Sequence, residues 1–169
     1  MSDEVRRHPT PDELPEFFAG LAKILTAAGL LIRHRDGRVL IVRPTYREGW
    51  QLPGGMVEAD EPPSVAAGRE TEEEVGLRLP VGRLLSVAYR RGAVPVPDNM
   101  QLVFDGGEHD EAIFAGVVLD DFELAEWRLV TEAEVVALTR ETGRPRVIAT
   151  FRALRAGTTA YLEDGAARP

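Results

Sequence analysis

The chain has 169 residues, no cysteine, a net charge of −8 and 44% hydrophobic residues. That length suits one domain with a sizeable core, and the missing cysteines exclude a disulfide framework, a thiolate nucleophile and a cysteine-based zinc site while fitting a reducing, cytoplasmic setting. The acidic balance argues against nucleic acid held by phosphate neutralisation, and no apolar run approaches the roughly 18 residues that span a bilayer.

Residues 1–10 are polar and read as a loose arm, followed by a short helix around Asp12 to Gly20. Lys23 to Arg33 and Val39 to Val42 are apolar and flank Asp36-Gly37, which predicts two strands joined by a hairpin turn. Residues 44–49 read as a loop, Trp50 to Leu52 as a short strand and Pro53-Gly54-Gly55 as a turn. Pro62 and Pro63 open a helix that Gly76 ends, because proline suits a first turn and glycine the left-handed position after the last. Leu84 to Arg90, Met100 to Phe104, Ile113 to Leu119 and Trp127 to Val130 are expected to be further strands. Thr131 with Glu134 three residues on forms a capping-box signature for a helix to about Thr139, and Pro145 to Ala156 predicts a last helix. Residues 161–169 read as a loose tail, leaving 11–160 as a single domain. This order implies a mixed sheet with helices on its faces; periodicity alone supports α+β or α/β.

The middle helix carries the chemistry. Glu70, Glu73 and Glu74 stand at i, i+3 and i+4, so their side chains share a face with Cβ atoms about 5 to 6 Å apart. Three carboxylates on one face repel one another and offer oxygen ligands to a hard divalent ion. A run such as Glu72-Glu73-Glu74 is, on its own, an ordinary solvated helix face. The wider spacing decides between the two. Gly55, Glu61, Arg69-Glu70, Glu73-Glu74 and Gly76 are seven residues at fixed intervals with an aliphatic, Leu77, behind them. A chance match is on the order of one in a million at ordinary residue usage.

This pattern resembles the signature box of the Nudix hydrolases. Trp50-Gln51-Leu52-Pro53-Gly54-Gly55 resembles the strand leading into the box, and Glu126-Trp127-Arg128-Leu129-Val130 the strand before the closing helix. The close match covers residues 50–77 and a looser one about 23–155. Thr71 departs from it, standing where the family has a bulky aliphatic; threonine keeps valine's shape and adds a hydroxyl, so the departure concerns packing.

The resemblance implies a Nudix-type α/β/α sandwich with a mixed β-sheet. It also implies a pyrophosphohydrolase dependent on Mg2+ (or Mn2+), which uses metal-activated water to cleave a diphosphate bond in a nucleoside diphosphate linked to another moiety. On this reading Glu73 and Glu74 are metal ligands, Glu70 is ligand or base, and the Gly54 carbonyl is a further ligand. Arg69, four residues before Glu73, reads as a salt bridge holding that carboxylate rather than a substrate contact. Glu61 reads either as a support of the metal shell or as a surface loop residue.

The resemblance further implies an acidic base on a later loop, where Asp120, Asp121, Glu123 and Glu126 crowd without matching a fixed motif position; Glu123 is chosen among them. The expected catalytic set is thus Glu70, Glu73, Glu74, Arg69 and Glu123. Arg43, Arg47, Arg90 and Arg91 flank the cleft loops and offer phosphate-binding guanidinium groups. The expected partner is a small nucleotide derivative, with a homodimer left open. The alternative reading is a non-catalytic sensor or binding module for such a derivative on the same fold; the intact glutamate set argues against it. The substrate itself is set by loops such as 91–98 and 105–112.

Overall fold

Period-two alternation along two central strands builds a core on each face of one sheet. In β1 (Leu25–His34), Ala28, Leu30 and Ile32 pack with Leu40 and Val42 of β2 (Val39–Pro44) on the first face. Leu31, Val39 and Ile41 pack on the second. The computed structural model describes residues 8–93 and 95–168. A short α1 (Leu14–Ala19) precedes β1.

The first face is covered by α2 (Pro63–Val75) through Ala66, Ala67 and Val75, and by Phe114 of the one-turn α3 (Glu111–Phe114). The second is covered by α4 (Glu132–Leu138) through Val135 and by α5 (Arg144–Ala156) through Val147 and Phe151. The remaining strands are β3 (Gly54–Met56), β4 (Leu84–Arg90), β5 (Asn99–His109), β6 (Leu124–Val130), β7 (Ala160–Glu163) and β8 (Ala166–Arg168). They form an eight-stranded sheet in the order β6-β2-β1-β5-β4-β7-β8, with β3 paired to β1. The β1–β5 and β4–β7 pairs are parallel and the others antiparallel, so the sheet is mixed and sandwiched between helices as expected. Among the described residues no helix is long and apolar enough to cross a membrane.

One edge of β1 forks. Its C-terminal end pairs with β2 at Arg33↔Val39, and its N-terminal end pairs with β3 from Ala27↔Met56 to Gly29↔Gly54. Two glycines permit this crossing, because a Cβ on Gly29 would collide with the Pro53 carbonyl and one on Gly54 with that of Ala28.

Helix ends follow the sequence signals. Pro63 begins α2, and Gly76 closes it with φ 72° while its N–H donates to the Glu72 carbonyl. In α4 the Glu134 carboxylate accepts from the Thr131 N–H at 2.8 Å, completing the expected capping box. Thr71 is fully buried and its hydroxyl donates to the Ala67 carbonyl at 2.8 Å, so the departure from an aliphatic is absorbed within the helix.

Four expectations are corrected. Residues 113–119 do not form a strand: α3 and a turn place Phe114 in the core, while the N–H groups of Val118 and Asp120 cap the Val75 and Glu74 carbonyls at the end of α2. Pro53-Gly54-Gly55 is not merely a turn, since Gly54 opens β3, and Trp50-Gln51 makes only isolated bridges to Thr139 and Val42. The expected tail over 161–169 is, through residue 168, a hairpin whose first strand pairs parallel to β4, burying Leu162. The expected arm over 1–10 lies outside the described residues as far as residue 7.

Candidate active site

The three helical glutamates sit in three different environments. Glu74 is buried, 4% exposed, and its Oε2 accepts the Gly54 N–H at 2.7 Å. Glu70 is largely covered, and the space a Gly55 side chain would fill is taken by its carboxylate. Glu73 faces solvent with its side chain 58% exposed. The glycine strand β3 therefore lies directly against the acidic face of α2. A side chain at Gly55 would push that face away, and one at Gly54 would collide with Ala28 and Gly29 of β1.

Arg69 is the hub of the cluster. Its Nη1 donates to Glu73 at 2.7 Å and to Glu70 at 3.0 Å; its Nε and Nη2 grip the two oxygens of Glu61 at 2.9 and 3.0 Å; and Nη2 also reaches the Met56 carbonyl at 3.1 Å. The bidentate fork makes Glu61 an anchor for Arg69, which ties β3, the loop before α2 and α2 itself to one guanidinium. Glu72 points away and pairs with Arg78.

Electrostatics show how little positive charge the cluster holds. The Glu74 carboxyl is pushed up to about 8, first by burial and then by the nearby charges of Glu70 and Glu123, against the Gly54 N–H and Arg47. Burial also raises Glu70, with Glu73 and Glu123 adding to it and Arg69 opposing. Arg69 itself is driven further toward its charged form by Glu61, then Glu73 and Glu70.

Glu123 thus acts on both inner carboxylates from the loop before β6. That loop is held in place because the Glu123 carbonyl accepts the Thr45 N–H at 2.8 Å and the Asp120 N–H caps the end of α2. Asp120 accepts the Phe122 N–H, and Glu126 is engaged by Arg128 and, at 3.4 Å, by Arg43.

Of the arginines expected to meet phosphate, Arg47 and Arg90 line recesses beside the cluster, whereas Arg43 is engaged with Glu126. Arg91 lines a further recess with Arg90. Two features lay beyond sequence reasoning. Gly55 reads from the sequence as a box and turn residue of structural role, and the fold adds that it makes room for Glu70. Arg146 went unnoticed, although it lines the same recesses as Arg47; its signal was a charge at the start of a helix four residues before the buried Thr150.

Among the described residues no three His, Cys, Asp or Glu side chains converge into a finished metal shell. The donors present are nevertheless all oxygen, two of them are disfavoured as anions, and they share one face, which fits a hard divalent cation.

The chain is similar to known proteins over most of its length. Residues 23–151 match the family model described as NUDIX domain. A MutT-like protein of Streptomyces ambofaciens is 41% identical over 63 residues, covering 37% of this chain and 40% of that protein. An RNA pyrophosphohydrolase of Halorhodospira halophila is 49% identical over 49 residues, 29% of this chain and 27% of that protein. The matched stretches thus span less than half of these curated relatives. The crystal structure of a MutT protein from Methanosarcina mazei Go1 superposes with a TM-score of 0.65 at 23% identity, covering 80% of this chain and 96% of that one.

Proposed function

The chain belongs to the Nudix family, and on that basis we propose that it hydrolyses a diphosphate bond in a small nucleotide derivative with the help of a divalent cation. The observation that carries this reading is the seating of β3 on the acidic face of α2, with Gly54 bonded to Glu74 and Gly55 yielding space to Glu70. A helix face that merely met solvent would need neither contact.

Glu70 and Glu74, joined by Glu73 at the open rim and the Gly54 carbonyl, would hold magnesium or manganese. When bound, such an ion neutralises phosphate charge and makes water a better nucleophile. Arg69 does not touch substrate; it fixes Glu70 and Glu73 and is itself fixed by Glu61. Glu123, exposed on its tethered loop, accepts the proton of the attacking water at its carboxylate. The water oxygen bonds to phosphorus as the bond to the bridging oxygen breaks, and Arg47 and Arg90 orient the phosphate oxygens.

The test is a panel of dinucleoside polyphosphates, sugar nucleotides, dinucleotide cofactors and oxidised nucleotides, assayed for product with and without Mg2+ or Mn2+. We expect cation-dependent turnover of at least one member and severe losses in Glu73→Gln and Glu74→Gln. A silent panel would favour a binding module instead, and full activity in both variants would refute the assignment of α2.

A further inference from the structure

A second concentration of charge, opposite in sign, lies beside the carboxylates. At the fork of β1 and β3 an open recess of about 430 Å³ is lined by residues including Gly29, Arg47, Gln51, Gly54 and Arg146. An adjoining recess of about 470 Å³ shares Arg47, Gln51 and Arg146 and adds Arg90, Thr142 and Gly143. Arg47 and Arg146 therefore border both recesses, and Arg90 joins them at the second.

Arg146 is the unexplained member. It stands in the first turn of α5, and its Nε is shielded from solvent without a hydrogen-bond partner. Burial, then the like charges of Arg90 and Arg47, pull its pKa down to about 10, so it stays protonated at neutral pH in a place that disfavours it. Arg47 donates to Gln51 Oε1 and lies 5.5 Å from the Tyr46 ring. Among the described residues, the ion pairs formed by other arginines have no counterpart at Arg47, Arg90 or Arg146. The positive end of α5 adds to the same side, because its N-cap, Gly143, lines the recess and supplies no capping side chain. Gly54 belongs to both regions, donating to Glu74 while lining the recess.

We propose that the recess centred on Arg146 is an anion site for a phosphoryl group, occupied by a substrate phosphate beyond the diphosphate bond addressed by the α2 carboxylates. Its occupant rests on the hydrolase reading; the site itself does not. Guanidinium forks match phosphate oxygens, and an anion in the recess would offset three like charges. Substrates with a further phosphate should accordingly be preferred over those ending in an uncharged group.

The experiment titrates inorganic phosphate into the full chain in chelator, read by calorimetry, for wild type, Arg146→Gln, Arg146→Lys and Arg90→Gln. Wild type should bind, with Arg146→Gln weaker by roughly 10- to 100-fold and Arg146→Lys between the two. The phosphate-free Arg146→Gln protein should melt no lower than wild type, since it loses a shielded, unpartnered cation. Should that variant fail to fold, Arg146 is a structural residue and its central place in the site is overturned; Arg90→Gln then reads whether the recess binds phosphate at all. Absence of phosphate binding by wild type, or equal binding by the variants, overturns the site even where hydrolysis is seen. A second arm compares KM for a nucleoside triphosphate with that for a nucleoside diphosphate ending in an uncharged group. Arg146→Gln should raise the first more than the second, and equal shifts would overturn the substrate as occupant. Phosphate binding without turnover on any substrate would sink the hydrolase reading and leave the anion site standing.

Discussion

Replacing Glu74 by glutamine should stabilise the metal-free protein while abolishing turnover. The side chain is 4% exposed, and burial with the charges of Glu70 and Glu123 lifts its carboxyl from the ordinary 4.5 to about 8. At about 1.4 kcal/mol per unit this corresponds to a ceiling of about 5 kcal/mol. Relaxation and entry of water reduce the effective penalty, so we expect about half of it. The amide keeps an oxygen for the Gly54 N–H and carries no charge. The sign follows from linkage: because folding raises this pKa, the neutral carboxyl favours the native state below pH 4.5, and that advantage is lost as pH rises to about 8. Urea unfolding in chelator should therefore give nearly equal stabilities for the two proteins below pH 4.5, with the variant pulling ahead between pH 4.5 and 8. Magnesium should then raise the midpoint of wild type far more than that of the variant. A variant less stable than wild type at the upper end of that window, or a gap that does not change with pH, would refute the reasoning.

Arg69→Met frees Glu61, Glu70 and Glu73 together and should lower turnover roughly 10- to 100-fold, with the loss only partly recovered in Arg69→Lys, in steady-state kinetics at saturating magnesium. Gly55→Ala inserts a methyl group where the Glu70 carboxylate lies; we expect about 1 to 3 kcal/mol of destabilisation in urea unfolding and a fall in activity beyond that caused by the lower folded fraction. Thr71→Val removes a buried hydroxyl that bonds back to the Ala67 carbonyl, and thermal melts should show stability unchanged or raised by up to about 1 kcal/mol, with kinetics intact.

The parts of this molecule that were legible in its sequence are those governed by local chemistry. Pro63 and Gly76 bound α2 because their backbone preferences act within a turn, and Thr131 with Glu134 marks α4 for the same reason. Glu70, Glu73 and Glu74 fall on one face by helical geometry alone. What escaped depends on distant partners. Residues 113–119 carry an apolar pattern that suits a short strand equally well, and only the need of α2 for caps on its last carbonyls selects the turn found there. The last strands, β7 and β8, are four and three residues long, and the pairing of β7 with β4 and of β8 with β7 is a property of the sheet. Gly54 and Gly55 read as a turn because glycine signals one, whereas the fold uses them for close passage against Gly29 and Glu70. Arg146 gained meaning only when Arg47 and Arg90, both far from it along the chain, were brought to its side.

The most direct test of the account is hydrolysis in isotopically labelled water of whichever panel substrate turns over, comparing wild type with Glu74→Gln and with chelator present or absent. The account predicts label in one phosphate-containing product, formed by wild type only with Mg2+ or Mn2+ and essentially lost in Glu74→Gln. Turnover that persists in chelator, or label appearing at the same rate in the variant, would contradict it.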